Sequence, residues 1–96
     1  MRQTYIVTYD VSDPKRLRKV FKTLKGYGDH LQLSVFRREL NHRELVELRA
    51  RLGCIVHHDR DQILFVDIGP ADGRGNTSIS ALGRVYHPSE RRAVVV

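Results

Sequence analysis

Cysteine and tryptophan are scarce in this sequence, which contains a single cysteine, Cys54, and no tryptophan among 96 residues. One cysteine cannot form a disulfide within the chain, so the fold depends on its hydrophobic core, as is usual in a reducing compartment. No stretch approaches the roughly 18–20 apolar residues that span a membrane. The start, Met1-Arg2-Gln3, also lacks the apolar segment of a signal peptide. These absences predict a cytoplasmic protein with no membrane partner.

Motifs of several enzyme classes are also missing. The sequence has no P-loop, no GxGxxG segment and no nucleophile elbow. Neither ATP-driven chemistry nor acyl transfer therefore has support from a motif. Cys54 has no CxxC partner and is interpreted as an ordinary small residue. His57 and His58 lie beside Asp59 and Asp61, but adjacent residues project differently and no second cluster completes a metal shell. We interpret this stretch as a charged loop.

Positive charge is what the sequence has in excess. It carries 17 Lys and Arg against 11 Asp and Glu, for a formal net charge of +6. Basic residues that neutralise phosphates gain affinity by releasing counterions, so the charge predicts an acidic partner. Charge alone does not separate DNA, RNA and anionic lipid. A chain of 96 residues supports one modest core, which predicts a single domain over residues 1–96 that gains stability from a second subunit.

The hydrophobic pattern predicts an α+β fold. Tyr5–Tyr9 is β-branched and aromatic, and Asp13-Pro14 then starts a helix with an apolar stripe. Residues 31–40 alternate as one strand or a pair of short strands, and Asn41 with Glu44 begins a second helix that ends at Gly53. Residues 62–68 form the last strand of the core. With the middle strand split, the order is βαββαβ, which is a ferredoxin-like sandwich of two helices on one sheet.

The last third of the chain is harder to assign from the sequence. Residues 71–77 are rich in Gly and Asp and are predicted to form a mobile loop. Residues 78–96 end in the β-prone run Val94-Val95-Val96. We predict that this segment is a dimer-exchange tail, whose additional C-terminal strand pairs with the partner subunit, because an unpaired strand edge seeks another strand.

Asp10 is the main candidate for chemistry, because it places a carboxylate where a hydrophobic strand ends and a basic helix begins. The alternative is that Asp10 caps a turn. One carboxylate holds Mg²⁺ poorly, but a symmetric dimer brings together two copies of the same residue. Such a site would activate water for hydrolysis of a phosphodiester. Ser12 and Asp13 are candidate supporting groups, and helix capping explains both equally well.

The first helix is the candidate nucleic-acid surface. Arg16 and Arg18 cannot share a helical face at a spacing of two, so at most one of them points toward Asp10. Arg16, Arg18, Lys19 and Lys22 are the residues predicted to bind phosphates, and the alternative is an ordinary solvated face. Tyr9 and Phe36 either pack in the core or stack on bases, and we favour the core.

Together these segments resemble a known family. Tyr9-Asp10-Val11-Ser12-Asp13, an Arg/Lys-rich helix, a Gly-Tyr-Gly stop and Leu31-Gln32-Leu33-Ser34-Val35-Phe36 follow one another along the chain. Over nearly its whole length the sequence is similar to the small dimeric CRISPR-associated endonuclease family of the spacer-acquisition machinery. The most specific features are the Tyr-Asp pair and the Gln-x-Ser-Val-Phe segment.

The resemblance implies a ferredoxin-like homodimer in which Asp10 of both chains binds Mg²⁺ or Mn²⁺. Members of this family cleave RNA or double-stranded DNA, or bridge dimers of the CRISPR integrase subunit without catalysis, and both functions remain open at this point. One departure is His30, where many relatives carry Arg, so a phosphate contact there is lost or depends on pH. The residues that match the family motif are Tyr9, Asp10, Arg16 or Arg18, Ser34 and Phe36.

Overall fold

The computed structural model describes residues 1–26, 29–32 and 34–84. Its elements follow the predicted order. They are strand β1 (Gln3–Asp10), helix α1 (Pro14–Lys25), strands β2 (Asp29–Gln32) and β3 (Val35–Leu40), helix α2 (His42–Gly53), strand β4 (Gln62–Pro70) and the short helix α3 (Arg74–Thr77). Within this part of the chain, none of the helices is long and apolar enough to cross a membrane.

The helix starts are those that the sequence predicts. Asp13 is the N-cap of α1, where its Oδ2 accepts a hydrogen bond of 3.0 Å from the backbone N–H of Arg16, and Pro14 is the first helical residue. Asn41 and Glu44 form a capping box at the start of α2, with bonds of 2.8 and 3.0 Å. Arg2 also binds the Glu44 carboxylate, at 2.6 Å between Nη1 and Oε1, which ties the start of the chain to α2.

The four strands form one antiparallel sheet in the order β2-β3-β1-β4. This order, with helices after β1 and β3, is the predicted ferredoxin-like βαββαβ arrangement. The split of the middle segment into β2 and β3 is therefore confirmed. Because β1 and β4 are antiparallel neighbours, Asp10 at the end of β1 pairs with Gln62 at the start of β4.

The core lies between the two long helices and one face of the sheet. Side chains of α1 and α2 pack there against alternate residues of β1 and β3, because successive residues of a strand point to opposite faces. Phe36 is the largest fully buried side chain and lies 5.7 Å from Phe21 between ring centroids. The buried hydrophobic residues are Val7, Tyr9, Val20, Leu24, Phe36, Leu40, Leu48 and Leu52.

Within residues 1–26, 29–32 and 34–84, no long helix packs on the other face of the sheet. By the same alternation it presents Ile6, Thr8 and Asp10 from β1, beside Leu64 and Val66 from β4. Ile6 is paired with Val66, and Thr8 is paired with Leu64, so these side chains form a continuous band. We call this surface the open face. Leu64 and Val66 are 48% and 46% exposed.

The open face is covered at one end by α3, and here the structure differs from the sequence-based prediction. Residues 71–77 were predicted as a loop, but Arg74–Thr77 is a helical turn and Gly75 is buried. A Cβ on Gly75 would lie 2.5 Å from Oγ1 of Thr4, so only glycine allows α3 to approach β1 this closely. Of the predicted exchange tail, residues 85–96 lie outside the part that the structure describes.

Candidate active site at the end of the first strand

Asp10 is the last residue of β1, and it lies exposed at the edge of the open face opposite the end that α3 covers. The strand is held on both sides at this point. The Tyr9 backbone N–H donates a hydrogen bond of 3.3 Å to the Ser34 carbonyl, and Gln62 is the partner of Asp10 on β4. Ser34, one of the residues that match the family motif, contributes its backbone carbonyl to this contact. The result is a carboxylate directed to solvent from a rigid strand end.

A second carboxylate, that of Asp61, lies buried beside this strand end. Its Oδ2 accepts hydrogen bonds from Arg16 Nε at 2.7 Å and from the His57 backbone N–H at 2.8 Å. Its Oδ1 accepts from the Ser12 backbone N–H at 3.1 Å, from Ser12 Oγ at 3.3 Å and from Arg16 Nη2 at 3.2 Å. Asp61 therefore joins the β1–α1 loop, the first turn of α1 and the loop before β4.

The electrostatics of this cluster follow from the hydrogen bonds. The Arg16 guanidinium, followed by the backbone N–H groups of His57 and Ser12, holds the pKa of the Asp61 carboxyl far below its usual range, against an opposing effect of burial. Asp61 in turn raises the pKa of Arg16. Bonding to the Arg16 backbone N–H lowers the pKa of Asp13 in its capping position. All three groups are charged at neutral pH.

The structure separates the predicted phosphate-binding residues into two groups. Arg16 makes a two-pronged ion pair with Asp61, and its Nη2 also donates to Ser12 Oγ at 3.3 Å. Arg18, Lys19 and Lys22 are exposed on α1. The prediction that Arg16 and Arg18 do not point to the same spot agrees with this difference. Asp13 caps α1, as the capping interpretation predicts, whereas Ser12 does not cap the helix and instead donates to Asp61.

The two aromatic candidates belong to the core. Phe36 has no exposed area and Tyr9 is 6% exposed, with their ring centroids 6.2 Å apart. Core packing is thereby confirmed for both, and stacking of either ring on a base, the alternative, is excluded by burial. Because Tyr9 directly precedes Asp10, its ring contact with Phe36 anchors the end of β1 in the core.

The histidine-rich loop has a structural explanation as well. His57 Nδ1 accepts a hydrogen bond of 3.2 Å from the Asp59 backbone N–H, and the His57 backbone binds Asp61. Across residues 1–26, 29–32 and 34–84, no three His, Cys, Asp or Glu side chains form a group suited to a metal ion. The side chain of His30 lies outside the described part of the chain.

Asp61 is the site residue that the sequence analysis missed. It appears there only as one acid in a charged loop, because its partners Arg16 and Ser12 are 45 and 49 residues away in sequence. The predicted topology was the one signal that could have identified Asp61. In a ferredoxin-like sheet β4 runs antiparallel to β1, so the residue before β4 lies next to the loop after β1.

Known proteins of one family match this chain. The family model described as CRISPR associated protein Cas2 matches residues 3–73. The CRISPR-associated endoribonuclease Cas2 of Geobacter sulfurreducens is 38% identical over 96 residues, which is 100% of both chains. CRISPR-associated endoribonuclease Cas2 1 of Rhodospirillum rubrum is 38% identical over 92 residues, covering 96% of this chain and 89% of its own. The crystal structure of Streptococcus pyogenes Cas2 has a TM-score of 0.72 at 34% identity, covering 83% of this chain and 99% of that one.

Proposed function

Because the chain belongs to the CRISPR-associated Cas2 family, we propose that it is a metal-dependent endonuclease of CRISPR spacer acquisition that works as a homodimer. Its substrate is the phosphodiester backbone of RNA or of double-stranded DNA. The observation that carries this proposal is the position of Asp10, exposed at the end of a rigid strand and on the same face as the apolar band. The curated relatives from Geobacter and Rhodospirillum are both named endoribonucleases.

The open face supports the dimer. Leu64 and Val66 are about half exposed and adjoin Ile6, so a second copy that stacks on this band removes apolar surface from water on both chains. A symmetric dimer repeats every contact across its two-fold axis. With the axis beside the end of β1, the two Asp10 carboxylates lie next to each other.

The donor atoms fit Mg²⁺ or Mn²⁺. These hard cations take oxygen ligands, and Mg²⁺ is commonly held by one or two carboxylates together with waters. Asp10 of each chain would hold the ion, with Ser12 and Asp61 ordering the loop that follows. When bound, the ion lowers the pKa of a water and offsets charge on the phosphate oxygens. Because the Asp10 carboxylate is exposed, it can bind the ion without any rearrangement of the core.

Helix α1 supports the nucleic-acid partner. Arg18, Lys19 and Lys22 are exposed, α1 contains no acidic residue, and Asp13 before it is already engaged as the N-cap. Phosphate binding by these cations positions the backbone without selecting a sequence. It also makes the affinity fall with salt, by a factor that grows with the number of phosphates neutralised.

The proposal is tested by cleavage of labelled RNA and labelled duplex DNA with Mg²⁺, with Mn²⁺ and with a chelator. We expect Asp10→Asn to lower the metal-dependent rate by about 100-fold or more, because metal stabilisation of the transition state amounts to several kcal/mol. Asp72→Asn is the matched control, since it removes an exposed carboxylate from a different loop. Equal rates for the wild type and Asp10→Asn would remove Asp10 from the mechanism.

A second candidate is a non-catalytic scaffold that grips duplex DNA by its phosphates and bridges dimers of the CRISPR integrase subunit. The exposed cations of α1 favour it, because they serve DNA binding with or without catalysis. The same variant separates the two functions. If the protein is a scaffold without catalysis, the wild type shows no cleavage that the chelator suppresses. The Asp10→Asn variant then binds duplex DNA and the integrase subunit as tightly as the wild type does.

A further inference from the structure

We propose that Asp61 is a positioning residue, which fixes the direction of the Asp10 side chain by holding the loop that follows it. The inference rests on the proposed function, because it concerns the metal site assigned to Asp10. It goes further by naming a residue from outside the family motif, and by predicting that metal binding and nucleic-acid binding respond differently to its loss.

The Asp61 side chain has no exposed area, and its two oxygens accept five hydrogen bonds from three segments of the chain. Two of the donors belong to Ser12, two to Arg16 and one to the backbone of His57. A carboxylate in this state has a fixed orientation, because any rotation breaks several bonds at once. It also fixes the three segments relative to one another.

The five hydrogen bonds to Asp61, which we call the clamp, act on Asp10 from the neighbouring strand β4 and from the loop that follows Asp10. Asp61 directly precedes Gln62, which is the strand partner of Asp10, and its hydrogen bonds to Ser12 hold the chain two residues after Asp10. Only Val11 lies between the last residue of β1 and the clamped Ser12. With the backbone held before and after it, Asp10 keeps one direction of its Cα–Cβ bond, which limits the positions its carboxylate can take on the open face. Groups that orient a metal ligand in this way typically change metal affinity by about 10- to 100-fold when they are removed.

The clamp has a second effect, on Arg16. The Arg16 guanidinium donates from Nε and Nη2 to the two oxygens of Asp61. This bidentate geometry restricts the orientation of the arginine side chain. Its side chain is 26% exposed, so once the carboxylate is neutralised the cation can turn toward solvent. A cation that pairs with Asp61 in the wild type then becomes available to a phosphate. Loss of the clamp should therefore weaken metal binding and leave binding of nucleic acid unchanged or tighter.

The test compares wild type, Asp61→Asn and Asp59→Asn, which removes the same charge from an exposed position in the same loop. Mn²⁺ affinity is measured by titration calorimetry, and affinity for a non-cleavable duplex DNA is measured across a range of salt. For Asp61→Asn we expect Mn²⁺ affinity to fall by about 10-fold or more. We also expect DNA affinity at low salt to be equal or higher, with a salt slope steeper by up to about 0.9 per freed arginine. Asp59→Asn should bind Mn²⁺ as the wild type does.

A protein that is merely unfolded would lose both kinds of binding, so weaker Mn²⁺ binding together with undiminished DNA binding identifies positioning. If Asp61→Asn does not fold, Arg16→Lys is the second variant, because lysine keeps the charge but cannot form two parallel bonds. We then expect a smaller loss of Mn²⁺ affinity in the same direction. Equal Mn²⁺ affinity in Asp61→Asn and Asp59→Asn overturns the inference and leaves the Asp10 site standing.

Failure of the proposed function gives a different result. If Asp10→Ala binds Mn²⁺ as well as the wild type does, the metal site is wrong rather than the clamp. Hydrogen exchange of the Ser12 amide then still decides whether Asp61 holds the loop. We expect about tenfold faster exchange in Asp61→Asn, since a weaker hydrogen bond opens more often. An unchanged rate contradicts the positioning role.

Discussion

At the scale of single residues, the environment of each carboxylate decides what it does. Asp10 and Asp61 lie at the same end of the β1–β4 strand pair, yet the Asp10 residue is exposed and the Asp61 side chain is buried and accepts five hydrogen bonds. A buried carboxylate with a guanidinium and backbone N–H groups around it is a structural anion. An exposed carboxylate on a rigid strand end is available to a ligand.

The depressed pKa of Asp61 makes stability depend on pH. Its folded pKa lies below that of the unfolded chain, so its contribution is fully present at neutral pH and is lost as pH falls below about 4. We expect the free energy of unfolding of wild type to fall more steeply from pH 5 to pH 2 than that of Asp61→Asn. Urea unfolding at a series of pH values measures this, with Asp59→Asn separating a general charge effect. Parallel curves for wild type and Asp61→Asn would contradict the prediction.

How far the sequence predicts this site depends on how local each residue's partners are. Asp10 follows a hydrophobic strand and Asp13 precedes a proline, so both roles are visible within a few residues. Asp61 has partners far away in sequence, and no local pattern reveals them. Arg16 is a second residue whose partner the sequence does not reveal. Its charge predicts a phosphate contact, whereas in the structure it pairs with Asp61.

At the scale of elements, the helix starts are the best-determined features. Asp13 and Pro14 begin α1, and the capping box of Asn41 and Glu44 begins α2, because each motif satisfies backbone donors that would otherwise lack partners. The segment after β4 is the opposite case. Its Gly-rich composition is typical of a loop, but the close approach of Gly75 to Thr4 lets one helical turn pack on the sheet. Such a long-range contact does not show in a local pattern.

The capping box gives a prediction at this scale. Asn41→Ala removes the acceptor for the Glu44 backbone N–H, and we expect the free energy of unfolding to fall by about 1 kcal/mol. Asn41→Ser is the control, since serine accepts the same hydrogen bond and should remain within a few tenths of a kcal/mol of wild type. Urea unfolding monitored by circular dichroism measures both. An equal loss in the two variants would mean that the cap is not the cause.

At the scale of the whole molecule, the two faces of the sheet have different roles. One is buried under α1 and α2, while the other bears the apolar band and ends at Asp10. The proposed dimer uses the second face. Stability, the proposed assembly and the proposed metal site therefore all depend on a single strand pair, β1 and β4.

A substitution that introduces a charge into the apolar band of the open face tests the proposed dimer. Leu64→Glu places a carboxylate where the second copy is expected to pack, so we expect the variant to be monomeric by light scattering at micromolar concentration. We also expect its metal-dependent cleavage to fall with the dimer. Val46→Glu is the matched control, because Val46 is 52% exposed on α2 and lies away from the open face. If both variants dimerise as wild type does, the interface lies elsewhere.

The place of β1 in the sheet has a consequence for how the chain is made. Strand β1 is an inner strand of the sheet, and its neighbours β3 and β4 are synthesised after it, with β4 ending only at Pro70. At roughly 5–20 residues per second, the nascent Gln3–Asp10 segment waits several seconds with unsatisfied edges. Translation must therefore pass Pro70 before the carboxylate of Asp10 has a rigid support.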